Sequence, residues 1–168
     1  MIKEILTYPK NKDILTSKSV EVQENEDITE LIQDLKDTLN NSTGCGISAV
    51  QIGVLKKVCL IKINGRIYTL INPTIVKTRG EILFKEGCLS APNTYKEVKR
   101  FQKVWCEYTD ENGRKRELAD GGLCSVIVQH ELDHFKGWCE VFDEVQISDE
   151  PELPIKKVQE TIWVDKED

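Results

Sequence analysis

The pentapeptide His130-Glu131-Leu132-Asp133-His134 contains both histidines of the 168-residue chain. Residues four apart in an α-helix lie on one face, so the two imidazoles can share a divalent metal ion while Glu131 reaches a water molecule beside it. The apolar run Val126-Ile127-Val128 before the motif indicates a buried helix, in which unpaired histidines would be costly. The motif therefore predicts a metal site, against the simpler interpretation of two histidines on an ordinary amphipathic surface helix.

A catalytic metal site needs a third protein ligand, and the spacing alone leaves three kinds of candidate open. Glu140 stands where metzincin proteases have a third histidine, with Gly137 also in place, but the chain has no methionine after residue 1 to form their downstream turn. Glu150 or Glu152 is spaced as in thermolysin-like proteases, although prolines flank both. Cys88 lies in a polar, turn-rich segment that favours an exposed thiolate, with a buried structural cysteine as the alternative.

Composition limits the class of protein. With 39% hydrophobic and 31% charged residues, the chain fits one compact domain, and its net charge of −6 argues against general nucleic-acid or anionic-membrane binding. We find no signal-peptide pattern and no apolar run of about 18 residues, so we expect a cytoplasmic protein. The six cysteines are expected to be thiols, and since no Cys-x-x-Cys pair occurs, any metal role is expected to fall on a single cysteine.

Hydrophobic periodicity predicts the elements around the motif. Residues 27–39 form an amphipathic helix, and the runs 58–63 and 66–73 form a β-hairpin across Asn64-Gly65. The alternating run 98–108 turns back through 110–113, and residues 123–135 form a buried helix that ends near Gly137, a left-handed cap. These assignments make the middle of the chain largely antiparallel sheet.

The last 25 residues differ in composition from the rest. Residues 144–168 contain three basic and eight acidic side chains and so carry nearly all of the net charge. The sequence does not decide whether VQETIWV, residues 158–164, forms a strand or a helix. We assign residues 1–143 to a catalytic domain and interpret the acidic segment 144–168 as part of the same single domain.

Three motifs in a fixed order resemble the signatures of bacterial-type, metal-dependent peptide deformylases. A GxGxxAxQ element spans residues 44–51, an EGCLS element spans 86–90, and a QHExDH helix spans 129–134. The resemblance extends over roughly residues 2 to 143. It implies an α+β fold with antiparallel β-sheets around a central HExxH helix and an N-terminal helix packed outside.

The resemblance also implies a reaction and its site residues. Cys88, His130 and His134 would bind the metal, and a metal-activated water would attack the formyl carbonyl of an N-formylmethionyl peptide and release formate. Glu131 would act as general base and then as general acid. The Gln51 side chain and the Leu89 backbone N–H would help the metal to stabilise the oxyanion.

Further expectations follow from the family. Residues implied to bind substrate or line its pocket are Gly44, Gly46, Ile47, Glu86, Gly87, Arg100 and Leu123, although core packing explains Ile47 and Leu123 equally well. The metal implied is Fe(II), with Zn(II), Ni(II) or Co(II) as substitutes. We expect a monomer with at most weak ribosome association, because the acidic C-terminal segment lacks a long basic helix. The chain departs from the usual family pattern at Ser48, Val50 and Ser125, and by one extra residue after His134.

Overall fold

The computed structural model describes residues 1–146, and its strands form one antiparallel sheet of five. The strands pair in chain order, and each neighbours the next: β1 (Gly46–Ser48), β2 (Val58–Ile63), β3 (Arg66–Cys88), β4 (Ala91–Thr109) and β5 (Lys115–Gly121). The helices are α1 (Lys12–Leu15), α2 (Thr29–Asn40) and α3 (Gly122–Phe135), with 3₁₀ helices at Ala49–Ile52 and Glu140–Glu144. The predicted α+β class is confirmed, with the strands in a single sheet.

Both predicted hairpin turns are present. Asn64 and Gly65 have φ values of 51° and 78° between β2 and β3, so both central residues of this two-residue turn adopt positive φ. Between β4 and β5, the Asp110 carboxylate accepts hydrogen bonds from the backbone N–H groups of Asn112 and Arg114, both at 2.9 Å. Local turn chemistry thus sets the register of two strand pairs, β2 with β3 and β4 with β5.

The β3–β4 hairpin is longer than the sequence predicts, with strands of 23 and 19 residues. Its register shifts three times, between Ile71 and Thr74, between Ile75 and Lys77, and between Glu86 and Cys88. Such bulges bend a strand and increase its twist. The last of them lies at the end of the hairpin that carries Cys88.

Two helices pack against the sheet in different ways. Helix α2 buries Ile32, Leu35 and Leu39 in a cluster that includes Leu60 of β2, while its other face is exposed. This arrangement confirms the predicted N-terminal helix outside the sheet. Helix α3 is buried along most of its length against β2 and β4. None of the described helices has the length and apolar character needed to cross a bilayer.

Most of the acidic segment, including the undecided run 158–164, lies outside the described residues. Its assignment to the same domain as residues 1–143 stays a prediction.

Candidate metal centre

Helix α3 positions the two histidines side by side inside the molecule. His130 is 2% exposed and His134 is fully buried, and their ring centroids lie 5.2 Å apart. The preceding turn of the helix packs Val126, Ile127 and Val128 into the core, which fixes the side of the helix that the histidines face. Helical spacing therefore produces the predicted juxtaposition.

Cys88 reaches the histidines from the end of β3. Its Sγ lies 3.4 Å from His134 Nε2. The thiol is 3% exposed, so the expectation of an exposed thiolate is wrong. The residues around Cys88 do form a strand end with a bulge. Cys88 is buried there because it packs in one cluster with Leu15, Val141 and Phe142 from other parts of the chain.

A second cysteine lies in the same place. Cys139 Sγ is 4.0 Å from His130 Nε2, and the ligand atoms of Cys88, His130, His134 and Cys139 all lie within 4.8 Å of one another. We call these four residues the Cys/His cluster. The fold thus brings a second cysteine within reach of the histidines, which Cys-x-x-Cys spacing could not indicate, and the expectation that a single cysteine serves the metal stays a prediction.

A sharp reversal of the chain after α3 carries Cys139 to the cluster. Gly137 has a φ of 79°, which confirms the predicted left-handed cap. The backbone N–H groups of Gly137 and Trp138 donate to the carbonyls of His134 and Asp133, at 3.1 and 3.2 Å. The signal that would have located Cys139 was thus a cysteine two residues beyond a predicted helix cap.

The groups of the cluster strongly perturb one another. Burial raises the pKa of the Cys88 thiol well above its usual range. Burial also opposes ionisation of Cys139, but hydrogen bonding from Cys88 and the charge of His130 outweigh it and lower the pKa of Cys139 to about 5. His134 has its pKa lowered by burial and by the charge of His130, which favours the neutral imidazole that binds metals.

Glu131 lies beside the cluster and is 1% exposed. Burial raises the pKa of its carboxyl to about 7, although the charge of His130 and a hydrogen bond from Ser48 oppose the shift. The Ser48 hydroxyl donates to Glu131 Oε2 at 2.8 Å and lies 3.0 Å from the Glu131 carbonyl oxygen. The sequence marked Ser48 only as a departure from the family, and the contact spans 83 residues of chain, so no local pattern indicated it.

Gln51 is held with its amide nitrogen towards the cluster. The Ser48 backbone N–H donates to Gln51 Oε1 at 2.9 Å, and this bond fixes the orientation of the side-chain amide. Gln51 Nε2 in turn lies 3.0 Å from Ser90 Oγ and 3.7 Å from Cys88 Sγ. Leu89 follows Cys88 directly and is 9% exposed.

Glu86 and Arg100 support His130 from behind. Arg100 Nε and Nη2 donate to the two oxygens of Glu86 at 2.7 and 2.8 Å, and His130 Nδ1 lies 2.8 Å from Glu86 Oε1. Arg100 Nη1 also donates to Asp133 at 2.8 Å. Glu86 is fully buried and Arg100 is 7% exposed. Their polar groups are thus engaged within the protein, and the predicted substrate contact by these two residues stays a prediction.

The remaining residues that the sequence assigned to the substrate site lie at several depths. Gly44, Gly46 and Gly87 are buried, and Ile47 is fully buried in the α2 cluster. Leu123 is half-buried against the core of α3. A cavity of about 710 Å³ lies beside α3. Neither Ile47 nor Leu123 lines this cavity, and no member of the Cys/His cluster does.

The protease-like alternatives for the third ligand can be compared with this geometry. The Glu140 carboxylate pairs with Lys96 Nζ at 3.3 Å and does not belong to the Cys/His cluster. Glu150 and Glu152 lie outside the described residues.

The donor set fits a metal ion. Zn–S bonds of about 2.3 Å and Zn–N bonds of about 2.0 Å place sulfur and nitrogen about 3.5 Å apart in a tetrahedral site. The Cys88–His134 distance of 3.4 Å matches that spacing. Imidazole nitrogens and a thiol inside the protein, with a glutamate alongside, make up the type of site found in metal-dependent hydrolases.

Comparisons with known proteins identify the family. Residues 2–148 match the model of the polypeptide deformylase family. A peptide deformylase of Thermodesulfovibrio yellowstonii is 37% identical over 142 residues, covering 81% of this chain and 85% of that protein. Peptide deformylase 2 of Clostridium acetobutylicum is 42% identical over 127 residues, covering 74% and 85%.

Solved structures of peptide deformylases have the same fold as this chain. The crystal structure of a peptide deformylase from Legionella pneumophila has a TM-score of 0.79 at 35% identity, covering 87% of both chains. That of a Synechococcus elongatus peptide deformylase in complex with actinonin has a TM-score of 0.76 at 33% identity, covering 84% of this chain and 78% of that one. The chain belongs to the peptide deformylase family, which is a family of metal-dependent enzymes.

Proposed function

We propose that this protein hydrolyses the N-terminal formamide of N-formylmethionyl peptides and releases formate. The observation that carries the proposal is the convergence of Cys88, His130 and His134 with the buried carboxyl of Glu131 in one site. These three ligands would hold one divalent metal ion. When bound, the metal supplies a Lewis acid that activates a water molecule and polarises the formyl carbonyl.

Glu131 is the proton carrier in this proposal. Its carboxylate takes a proton from the attacking water and later gives it to the nitrogen of the leaving amine. The Ser48 hydroxyl, 2.8 Å from Glu131 Oε2, keeps the carboxylate aimed at one position. A carboxyl whose pKa is about 7 suits both halves of this transfer near neutral pH.

Gln51 and Leu89 are proposed to stabilise the negative charge that develops on the formyl oxygen. The Gln51 amide is oriented by Ser48 before any substrate arrives, so donating a hydrogen bond requires little reorganisation. The Leu89 backbone N–H would donate from the residue next to the metal ligand Cys88. Gly46 would let the peptide backbone approach closely, because it has no side chain between the substrate and Glu131.

The identity of the metal, the partners and the location also belong to the proposal. Family resemblance favours Fe(II), with Zn(II), Ni(II) or Co(II) able to use the same ligands. Formylated nascent chains are the proposed substrates, acted on in the cytoplasm by a monomer with at most weak ribosome association.

The test is formate release from a short N-formylmethionyl peptide by anaerobically prepared, metal-loaded protein. Glu131→Gln should lower kcat by about 10²-fold or more, because it removes the general base, and Cys88→Ser should lose bound metal as well as activity. Glu140→Gln is the matched control and should keep both, since Glu140 pairs with Lys96.

A different set of results would identify a protease. If fully metallated wild-type protein releases no formate but cleaves casein, and Glu140→Gln loses its metal, the protein is a protease with Glu140 as a ligand and the proposal is wrong.

A further inference from the structure

The Cys/His cluster contains one more donor than a catalytic metal site requires. Enzymes of this type keep three protein ligands and leave a fourth position for water or substrate. Cys139 Sγ, at 4.0 Å from His130 Nε2 and within 4.8 Å of every other donor atom, is the fourth donor of the cluster. Cys139 is 1% exposed, so its thiol faces the cluster and not solvent.

The surroundings of the two sulfurs are alike. Each sulfur accepts a hydrogen bond from a backbone N–H two residues further along the chain, Ser90 for Cys88 and Val141 for Cys139. Hydrogen bonds of this kind stabilise the thiolate form, which is the form that binds a metal. Cys139 therefore has the same local support as the cysteine that the family resemblance assigns to the metal.

The segment that carries Cys139 is fixed on both sides. On one side Gly137 makes the left-handed turn after α3, where an added Cβ would clash with the Thr16 carbonyl oxygen. On the other side Val141 and Phe142 are buried, and the Phe142 ring stacks on Tyr8 with centroids 4.4 Å apart. The backbone therefore holds the Cys139 side chain towards the two histidines.

We propose that Cys139 is a fourth protein ligand, which closes the metal centre in its resting state and must leave before a peptide is hydrolysed. The first half of this proposal, that Cys139 binds the metal, does not depend on the proposed function. The second half, that Cys139 must leave before hydrolysis, rests on it. A tetrahedral set of two sulfurs and two imidazole nitrogens is typical of zinc, so the closed centre should hold Zn(II) well.

The sulfur count around the metal tests the first half without any assay of activity. X-ray absorption spectroscopy on the zinc-loaded full-length chain should show two sulfur and two nitrogen neighbours in the wild type. Cys139→Ala and Cys139→Ser should each show one sulfur, with a lighter oxygen neighbour in its place. Cys124→Ala is the matched control, because Cys124 lies in the core of α3 away from the cluster, and it should keep two sulfurs.

One sulfur neighbour in the wild-type protein would overturn the proposal. The sulfur count of the wild-type protein is decisive even if the Cys139 variants do not fold.

Turnover of an N-formylmethionyl peptide tests the second half. If the closed form makes up about nine-tenths of the resting protein, removing its ligand raises kcat/KM by about tenfold, because only the open fraction can take up substrate. Cys139→Ala should therefore exceed both the wild type and Cys124→Ala in formate release. If the wild type has two sulfur neighbours and kcat/KM is the same for Cys139→Ala, then Cys139 binds the metal without obstructing the substrate, and the second half of the proposal is wrong.

The two proposals fail in different ways. Two sulfurs with no formate from any variant would leave Cys139 as a ligand and contradict the proposed function. One sulfur neighbour together with normal formate release would support the proposed function and show that Cys139 is not a ligand of the metal.

Discussion

Gly46 lies against the carboxyl of Glu131, which is the proposed general base. A Cβ added there would lie 2.9 Å from Glu131 Oε1 and 3.1 Å from its Cδ. Gly46→Ala should push the carboxylate away from its position, and since misplacing a catalytic group by about 1 Å can cost about 10²-fold in rate, we expect kcat to fall by about 10- to 100-fold. Formate release with the metal content measured alongside checks this prediction.

Gly121→Ala is the matched control for Gly46→Ala. A Cβ at Gly121 also meets a side-chain atom at 2.9 Å, but that atom belongs to Gln102, away from the Cys/His cluster. Both substitutions add one methyl group at a crowded backbone. Equal kcat values for the two variants would show that the space at Gly46 has no part in catalysis.

At the scale of single residues, the sequence located some of the site and missed the rest for a physical reason. His130, Glu131 and His134 are related by helical spacing, which a sequence displays directly. Ser48 contacts Glu131 across 83 residues, and Cys139 reaches His130 only because the chain reverses at Gly137. The Ser48 contact depends on tertiary packing that no local pattern encodes, whereas Cys139 could have been located from its position two residues beyond the predicted helix cap.

At the scale of elements, the Glu86 carboxylate joins three of them, because it lies on β3, pairs with Arg100 of β4 and contacts His130 of α3. Burial opposes its charge, but hydrogen bonds from Arg100 and His130 lower the pKa of Glu86. Glu86→Gln should remove the fully buried partner of Arg100 and leave only Asp133 to balance its charge, at a cost of about 3 kcal/mol in the free energy of unfolding. It should also weaken metal binding by about 10- to 100-fold, since a neutral amide is a weaker partner for the His130 ring than the carboxylate.

Denaturant unfolding and chelator competition measure the two effects of Glu86→Gln. Glu81→Gln on the same strand is the control, because Glu81 pairs with Lys99 at 3.0 Å with both side chains more than 60% exposed. An exposed pair of this kind contributes about 0–1 kcal/mol. If Glu81→Gln and Glu86→Gln unfold and bind metal alike, the buried network has no supporting role.

Elements that depend on short-range chemistry could be predicted from the sequence, and the others could not. The turn at Asn64-Gly65, helix α2 and the cap at Gly137 follow from short-range chemistry and were predicted within a few residues. The reach of β3 to Cys88 was not predicted, because bulges around Pro73 and near Gly87 interrupt its alternation of apolar and polar residues. The four-residue helix α1 is too short to show a periodicity.

At the scale of the whole molecule, a bound ion would connect β3, α3 and the segment before the second 3₁₀ helix through the Cys/His cluster. Metal that binds only the folded state at about 100 times its Kd adds about 2.7 kcal/mol to the free energy of unfolding. For a chain of this size that corresponds to a Tm increase of roughly 5–10 °C. Zinc-loaded wild type and Cys124→Ala should both lose this increase on chelation, whereas Cys88→Ser should show a smaller change. An identical Tm before and after chelation, in protein shown to contain stoichiometric zinc, would mean that the ion does not stabilise the fold.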